Sequence, residues 1–553
     1  MSRLRQEGPA LAVLGLILVA GLVLRVLHND HGLPYVYYVD EGSHFTKRAI
    51  EVFRDPNPGY FQNPSAFTYL LHAVYRLAAI PAGGSEAVID AYKTNASWVF
   101  EVSRTLAALL CLAGVGAVYA AGRALWDRRT GLLAAAVLCF AFLPVAFSRM
   151  ALTDTGTLAP VAVALWMSIR LAERGGLRTA AVAGAAVGLA IGFKYTAGLI
   201  VLAPALGLLL RRDARFALRG GLVVLAGALV AFALTNPFFF LDFDRAMHQL
   251  RGQAELAGNQ GKFGQEDQTG VLYYLDSLLW GLGYVAAAAS LAGAVLLARR
   301  DRARAALLLV FPVALFLYLS FQSRFFGRWL LPVYPALALL AGYAVARGAE
   351  VLRERAPRWE VPALALTCAV LLWQPLAADA RSMAVLGHED TRAIAREWLA
   401  ANHRPELRAV IEPAVPERFY WPVVDGKPRK TEQPQFVNEF VRDTQEEHVE
   451  YGRTLEPGLI DRYRRRGYCT VVTMGLIRGR ADAKGNPGAV AYYDRLERES
   501  EPVFRISPYR QDSEPQDFSF DLSYSYYSPA YERPGPDVRV YRLDDCTQGY
   551  GAA

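Results

Sequence analysis

Long apolar stretches separated by polar connections dominate the first two thirds of the chain. Eleven of them reach or approach the length of about 20 residues that a helix needs to cross a bilayer. They are residues 10–27, 105–121, 131–147, 156–171, 180–193, 195–210, 222–234, 278–298, 305–321, 329–346 and 361–377. The pattern therefore predicts about eleven membrane-spanning helices, and we interpret the first as a retained helix because no small-residue cleavage site follows it.

The connections between these stretches alternate in character. One set is short and rich in arginine, at residues 123–129, 174–178, 211–219, 299–304 and 353–358. If the N-terminus is cytoplasmic, all of these connections lie on the cytoplasmic side. This agrees with the excess of Lys and Arg that cytoplasmic loops carry. The long segments 28–104 and 235–277 and everything after residue 377 then lie outside the cytoplasm. We expect a multi-pass protein of a bacterial inner membrane.

Composition agrees with this division. Hydrophobic residues make up 53% of the 553 residues and charged residues 20%, which excludes an ordinary soluble protein and a disordered chain. The net charge of +7 comes largely from arginines in the short connections. A nucleic-acid-binding function therefore loses its main support.

The chain changes to polar composition after residue 377. We expect a mostly α, polytopic helical body at residues 1–377 and a soluble extracytoplasmic α/β domain at 378–553. In the second region the patterns predict helices at 390–401 and 490–499 and strands at 408–412, 468–474, 503–506 and 538–543. Cys469 and Cys546 both fall there, where a disulfide is chemically allowed, and the pairing stays open.

A few charged residues lie beside the apolar stretches on the outer face, where charge is costly and usually functional. They are Asp40, Glu41, Arg149, Asp154, Lys194, Arg324 and Arg328. Cations and carboxylates at a membrane surface suit a reaction on a lipid phosphate, because cations stabilise the leaving phosphate and a carboxylate can act as general base. For each residue alone, an interfacial cap or an interhelix salt bridge is the alternative.

Five segments carry a resemblance to a known family. They are YYVDEGSHFTKRA, FQNPSAFTYLLHAVYRL, FSRMALTDTGTLAPVAVALWM, GLAIGFKYTAGLIVLAPAL and SRFFGRWLLPVYPALALLAGYAV. In order and sidedness they resemble the GT-C superfamily of membrane glycosyltransferases. Within it they resemble the branch of protein O-mannosyltransferases, lipid A aminoarabinose transferases and Rgt-type enzymes. The resemblance covers roughly residues 1–346.

This resemblance implies an inverting transfer of a sugar from a polyprenyl-phosphate-linked donor to an extracytoplasmic acceptor, which is a protein, a lipid or a glycan. It implies that Asp40 is the base and Glu41 its neighbour, that Asp154 with Arg149 organises the second outer turn, and that Arg149, Lys194 and Arg324 or Arg328 bind the donor phosphate. No cofactor is certain. Asp40 and Asp154 could bind a divalent cation, but we expect metal independence because two carboxylates are a thin ligand set.

Other functions remain open at this point. A transporter or flippase with an outer accessory domain would place polar sites near the bilayer midplane in internal repeats. The apolar stretches carry few charges there, and no convincing repeat is visible. An envelope-polymer ligase is a second alternative. The Gly- and Gln-rich residues 252–270, within the outer segment 235–277, fit either a mobile lid or a plain connector.

Overall fold

The computed structural model describes residues 2–259, 261–262, 265, 269–402, 408–412, 423–424, 427–428, 454–484, 486–513, 516 and 527–543. The first α-helices are α1 (Ser2–Val26), α2 (Thr46–Glu51), α3 (Ala66–Ala82), α4 (Ser85–Thr94), α5 (Ser97–Leu125), α6 (Arg128–Phe140), α7 (Phe142–Ser148), α8 (Leu158–Glu173), α9 (Leu177–Phe193), α10 (Leu202–Leu210) and α11 (Ala214–Thr235). They are followed by α12 (Pro237–Leu241), α13 (Phe243–Asn259), α14 (Gly270–Leu282), α15 (Tyr284–Arg300), α16 (Arg302–Ser320), α17 (Tyr334–Arg355), α18 (Glu360–Leu386), α19 (Thr391–Asn402), α20 (Gly458–Arg465), α21 (Gly475–Lys484) and α22 (Pro487–Arg498). The strands are β1 (Arg408–Ile411), β2 (Val423–Val424), β3 (Lys427–Pro428), β4 (Tyr468–Met474), β5 (Ser500–Ile506) and β6 (Val538–Leu543).

Seven helices of the described chain are long and apolar enough to cross a membrane, and two pairs bent by 56° and 105° raise the number to nine. The seven are Gly8–Val26, Ser97–Leu125, Asp154–Glu173, Ala214–Thr235, Arg302–Ser320, Gly327–Arg355 and Pro357–Asn402. The bent pairs are α6 with α7 and α14 with α15, and α9 and the stretch Tyr195–Leu210 are shorter apolar helices. Each predicted apolar stretch falls in one of these elements, and the multi-pass helical body is confirmed.

Aspartates begin three helices on the arginine-rich side. Asp127, Asp213 and Asp301 accept hydrogen bonds of 2.8, 3.0 and 2.9 Å from backbone N–H groups three residues later, at the starts of α6, α11 and α16. Each side chain satisfies a backbone donor that the helix leaves free, which is the role of a helix N-cap. The same short connections therefore carry both the basic charge and the caps.

The helices of the body approach closely where small residues recur. On α9, Gly184 and Gly188 lie four residues apart and face α11, where a Cβ atom on either would come within 2.2 Å of the carbonyl oxygen of Val224 or Ala228. Residues four apart share one helix face, and small residues let the two backbones approach. The backbones of α9 and α11 therefore lie in close contact at this crossing.

The outer segment between α1 and α5 is largely helical. A π-helical turn, Glu41–Phe45, runs into α2, and α3 and α4 follow. Phe45 and Phe67, which are 3% and 0% exposed, pack edge to face at 5.6 Å and hold the π turn against α3. The segment brings Asp40, just before the π turn, to the outer end of the membrane helices.

Helix α13 lies over the outer end of the body and is bound at two points. Near its middle, Gln249 accepts a 2.7 Å hydrogen bond from the backbone N–H of Phe61, in the first outer segment. Near its end, the carbonyl of Ala257 accepts a 2.8 Å bond from the backbone N–H of Ser323. Residues 252–259, the first half of the Gly- and Gln-rich stretch 252–270, belong to this helix; of the second half only residues 261, 262, 265, 269 and 270 are described.

The C-terminal region forms a four-stranded mixed sheet in the order β1-β4-β6-β5. The pair β1/β4 is parallel, and β6 pairs antiparallel with both β4 and β5. Strand β4 is buried along its whole length, and helices α19 to α22 supply the rest of the core. The predicted strands and helices of this region are confirmed. Cys469 is disulfide-bonded, while Cys546 lies outside the described part.

The sheet region contacts the first outer segment. The Arg392 guanidinium lies 4.0 Å from the centre of the Tyr37 ring and donates a 2.8 Å bond to Asp390. The Thr391 hydroxyl donates to the carbonyl of Pro536 at 2.7 Å. These contacts hold the start of α19 against the chain that leads into Asp40.

Candidate active site

A cavity of about 420 Å³ opens at the end of the helical body opposite the arginine-rich connections, the end that the sequence predicts to be the outer one. Its walls come from the first outer segment, the chain before α8, the turn between α9 and α10, helix α13 and the chain between α16 and α17. Five of the seven predicted site residues line it: Asp40, Asp154, Lys194, Arg324 and Arg328. Residues more than 280 positions apart in sequence thus meet in one polar space.

Short irregular turns at the outer ends of the spans place these side chains. Asp154 begins a 3₁₀ turn, Lys194 immediately precedes another (Tyr195–Val201), and Arg328 lies at the start of a third (Gly327–Val333). A 3₁₀ turn is tighter than an α-turn and is common where a helix begins. Each turn bends the backbone just before an apolar span, so the polar side chain stays at the outer rim.

The Asp40 carboxylate is bound on two sides. Its Oδ2 lies 2.5 Å from Nη2 of Arg328 and its Oδ1 lies 3.5 Å from Nε2 of His44. The Asp40 side chain keeps 31% of its surface exposed, toward the cavity. Burial opposes ionisation, but the Arg328 charge and His44 outweigh it and hold the pKa of the Asp40 carboxyl well below its usual range. Asp40 is therefore a partly exposed, ionised carboxylate at neutral pH.

Arg328 and Lys194 are both held by aromatic rings as well as by carboxylates. Arg328 donates to the hydroxyl of Tyr38 and lies 5.0 Å from the ring centre of Phe326. Lys194 donates to Oδ1 of Asp154 at 2.5 Å and lies 5.9 Å from the ring centre of Trp329. These contacts fix two cations on one side of the cavity, where they can bind an anion.

Glu41 does not line this cavity. It is fully buried and accepts bonds of 2.6 and 2.9 Å from Nε and Nη2 of Arg104, and a third of 2.9 Å from the backbone N–H of Ala151. Arg104 also donates to the carbonyls of Asn29 and His31 at 2.6 and 2.9 Å. The two adjacent acids therefore face different surroundings, Asp40 the cavity and Glu41 a buried ion pair.

Arg149 lies in the same surroundings as Glu41. Its Nε donates to the carbonyl of Leu24 at 2.8 Å, and it lines a separate small cavity of about 80 Å³ with Glu41 and Arg104. Asp154, five residues further on, faces Lys194 in the larger cavity. The structure thus does not bring Arg149 together with Lys194 and Arg328.

The larger cavity contains further residues that the sequence analysis did not single out. Among them are His44, Tyr60, Gln62, Asn63, Gln253 and Trp329. His44 carries a readable signal, because it follows Asp40 by four residues and four-residue spacing places side chains on one helix face. Gln62 and Asn63 carry no such signal in the sequence, because amides are ordinary residues of an outer loop. Only the fold places them in the same cavity as Asp40.

A divalent cation finds few ligands here. Within the described ranges, no group of three or more His, Cys, Asp or Glu could hold a metal ion. Asp40 and Asp154 are each already paired with a basic side chain at 2.5 Å. These described residues do not fit a resident metal.

The structure combines a many-span helical body with a polar cavity at one end of its helices. Comparisons with known proteins show which proteins share this architecture. Residues 97–240 match the family model of dolichyl-phosphate-mannose-protein mannosyltransferases. No curated protein matches the chain in a sequence search. The family match therefore covers α5 to α12, including Asp154 and Lys194.

Solved structures share the fold at low sequence identity. Apo ArnT from Cupriavidus metallidurans has 17% identity and a TM-score of 0.50, covering 74% of this chain and 83% of that chain. The oligosaccharyltransferase AglB from Archaeoglobus fulgidus, in complex with an inhibitory peptide and a dolichol-phosphate, has 13% identity and a TM-score of 0.53, covering 91% and 74%. The apo form of the Archaeoglobus fulgidus oligosaccharyltransferase has 13% identity and a TM-score of 0.54, covering 95% and 75%. These matches confirm the predicted fold. The family-model match over residues 97–240 agrees with the predicted glycosyltransferase class.

Proposed function

We propose that the protein is an inverting glycosyltransferase that moves a sugar from a polyprenyl-phosphate-linked donor to an acceptor hydroxyl, with Asp40 as the general base. It acts in a bacterial cell membrane, with its N-terminus in the cytoplasm and the active-site cavity and residues 378–553 outside. The observation that carries the proposal is the cavity in which Asp40 meets Lys194 and Arg328. AglB with bound dolichol-phosphate, a protein of the same fold, supports a lipid phosphate as the donor carrier.

The charge of the cavity suits a departing lipid phosphate. Among the described residues, four cations line it with two carboxylates: Lys194, Lys262, Arg324 and Arg328 with Asp40 and Asp154. The donor phosphodiester carries one negative charge, and the phosphate released from it carries about −1.5 to −2 at neutral pH, as other phosphate monoesters do. The cations of this described lining therefore stabilise the product side of the reaction more than the donor, which is the requirement for catalysis.

Arg328 connects the phosphate to the base. Its guanidinium has five N–H donors, so it can hold the donor phosphate while keeping contact with Asp40. The donor phosphate and Asp40 then share the positive charge of Arg328. Because that charge stabilises the ionised form of Asp40 less than before, the carboxylate becomes more basic. Arrival of the donor thus prepares Asp40 to accept a proton.

The bond changes then follow from the arrangement. The acceptor oxygen attacks the anomeric carbon from the face opposite the phosphate and forms the new glycosidic bond. The bond between that carbon and the phosphate oxygen breaks, and its electrons leave with the polyprenyl phosphate. The acceptor proton passes to Asp40. One displacement of this kind inverts the anomeric centre.

The remaining predicted residues take supporting roles in this proposal. Asp154 orients Lys194 toward the phosphate, and Arg324 adds positive charge to the cavity. Glu41 holds the first outer segment through Arg104, and Arg149 fastens the second outer turn to α1 through the Leu24 carbonyl. Neither Glu41 nor Arg149 contacts substrate.

The test is Asp40→Asn, compared with Asp90→Asn, which changes an exposed carboxylate on α4 outside the cavity. Release of polyprenyl phosphate from a synthetic lipid-linked sugar is measured with the purified full chain and an envelope acceptor fraction. We expect turnover to fall about 10²- to 10⁴-fold in Asp40→Asn, the range for loss of a general base, and to stay unchanged in the control. Thermal unfolding of both variants, compared with the parent, shows whether they are folded. A folded Asp40→Asn variant with normal turnover would refute Asp40 as the base.

A further inference from the structure

An imidazole lies directly beside the carboxylate proposed as the base. Nε2 of His44 is 3.5 Å from Oδ1 of Asp40, and the two side chains, 27% and 31% exposed, line the same cavity. Asp40 immediately precedes the π-helical turn Glu41–Phe45, and His44 belongs to it. Turns of this kind are frequent at functional sites, and residues four apart on a helical turn lie on one face. The local fold thus brings an imidazole to the oxygen of Asp40 that Arg328 does not hold.

Contacts around the imidazole ring fix its proton and its plane. The Ser43 hydroxyl donates to the carbonyl of Val39 at 2.7 Å. A hydroxyl has one proton to donate, so at its 3.3 Å contact with Nδ1 of His44 the Ser43 oxygen accepts. Neutral His44 therefore carries its proton on Nδ1 and turns the free electron pair of Nε2 toward Asp40. The ring of Tyr60 stacks on His44, with centres 4.9 Å apart and planes at 16°, and keeps it in this orientation.

The surroundings of Asp40 make it a weak base on its own. Arg328, at 2.5 Å, and His44 hold the pKa of the Asp40 carboxyl well below its usual range. A general base works best when its pKa lies near the working pH. Arg328 cannot take up the proton, because a guanidinium stays protonated in proteins. An imidazole ordinarily has a pKa of about 6.5, against about 3.9 for an aspartic acid, so it holds a proton about 400 times more strongly.

Resting on the proposed function, we propose that His44 receives, through Asp40, the proton that the acceptor hydroxyl loses. As the acceptor oxygen attacks the anomeric carbon, its O–H bond breaks and the proton passes to Oδ1 of Asp40. The proton then moves from Oδ1 to the free electron pair of Nε2, which leaves Asp40 ionised and His44 as an imidazolium. Water in the cavity afterwards takes this proton from Nε2 and restores the neutral ring. His44 thus acts through Asp40 and does not contact the reacting atoms.

The charged groups around His44 come from several elements. Asp40 precedes its own turn, and the Arg48 guanidinium of α2 lies 5.7 Å from the ring centre of Tyr60, on which His44 stacks. The further charged residues that line the cavity in the described chain are Asp154, Lys194, Lys262, Arg324 and Arg328. Asp40 is the group with which His44 forms an ion pair. The two side chains therefore exchange the proton with each other and titrate as a coupled pair.

The first experiment is His44→Gln, which keeps an amide beside Asp40 but cannot take up a proton. Release of polyprenyl phosphate by the full chain is measured from about pH 5 to about pH 8, the range in which an imidazole titrates. At the upper end we expect kcat/KM to fall about 10- to 100-fold, part of the 400-fold difference in proton affinity. Toward the lower end the parent and the variant should converge, because an imidazolium already holds its proton and cannot accept another.

The matched control is His388→Gln, an exposed histidine just after α18 and outside the cavity. It should follow the parent at every pH. Thermal unfolding shows whether each variant is folded, and His44→Asn replaces His44→Gln if the latter is not. A folded variant that matches the parent throughout, or falls below it by the same factor at every pH, overturns the inference and leaves Asp40 as the proposed base. A parent that releases no polyprenyl phosphate overturns the proposed function, and the inference falls with it.

A second experiment supplies the imidazole from solution. His44→Ala removes the ring and leaves its place beside Tyr60 open. Near pH 8 we expect added imidazole to raise the turnover of this variant about tenfold and to leave that of the parent unchanged. A side chain that only orients Asp40 would not be replaced by a freely diffusing ring. A folded His44→Ala variant whose turnover imidazole does not raise overturns the inference.

Discussion

We expect Glu41→Gln to lower the free energy of unfolding and to leave the catalytic step unchanged. In the folded protein Glu41 is 0% exposed and Arg104 is 2% exposed, so the substitution leaves a guanidinium buried beside a neutral amide. The carboxylate accepts three hydrogen bonds, two from Arg104 and one from Ala151. An amide has one acceptor oxygen, so at least one of these donors faces an NH₂ group instead.

The magnitude follows from the burial of the pair. Removing one partner of a buried ion pair costs about 3–5 kcal/mol, because the other charge stays in a poorly polar environment. Arg104 keeps its bonds to the carbonyls of Asn29 and His31, which places the expected loss at the lower end, about 3 kcal/mol. The double variant Glu41→Gln, Arg104→Gln removes the stranded charge and should recover part of the loss.

The assay is thermal unfolding in detergent, followed by tryptophan fluorescence, with turnover measured at a temperature where the variants stay folded. The control is Glu86→Gln on α4, whose side chain is 84% exposed. A Glu41→Gln variant that unfolds like the parent yet loses turnover would refute this reasoning and would indicate that Glu41 takes part in catalysis.

Three further predictions concern other parts of the molecule. Arg328→Gln should raise the pKa of Asp40, because burial then acts without the opposing charge, so the acid limb of the pH profile of kcat/KM moves to higher pH; an unmoved limb contradicts this. Gly188→Ala places a methyl group against a carbonyl of α11 and should lower stability by about 1–3 kcal/mol, whereas Gly116→Ala meets open space and should not; equal unfolding temperatures would contradict the close crossing. Burial raises the pKa of Glu412 to about 8. Since its unfolded pKa is about 4.3, ionisation reduces stability progressively between those pH values, and Glu412→Gln should raise the unfolding temperature more at pH 8 than at pH 5; an equal change at both would contradict it.

The sequence was most informative about the membrane body, because apolar length has a direct physical meaning in a bilayer. All eleven apolar stretches fall in helices or bent helix pairs. The bends themselves were not foreseen. The sharpest one falls at Gly283, which has φ +101°, a conformation that glycine adopts without strain but that nothing in the surrounding apolar pattern indicates.

Most of the predicted site residues line the cavity, but their arrangement within it could not be predicted from the sequence. Asp40, Asp154, Lys194, Arg324 and Arg328 share one cavity, as residues on one membrane face can. Sequence order could not separate Asp40 from Glu41, because successive residues of a helical turn point in directions about 100° apart and only the partner shows which one faces the cavity. The catalytic roles of all these residues, Glu41 and Arg149 included, remain predictions.

The paired charges of the cavity also bear on selectivity within the bilayer. Phospholipids surround the protein in vast excess over any lipid-linked sugar, and their headgroups carry phosphates too. Lys194 and Arg328 each have a carboxylate partner at 2.5 Å, so an incoming phosphate shares their charge with that partner. A phospholipid headgroup, which brings no sugar into the cavity, therefore gains less from binding there than the proposed donor does. We expect these ion pairs to reduce the occupation of the cavity by the abundant lipids of the membrane.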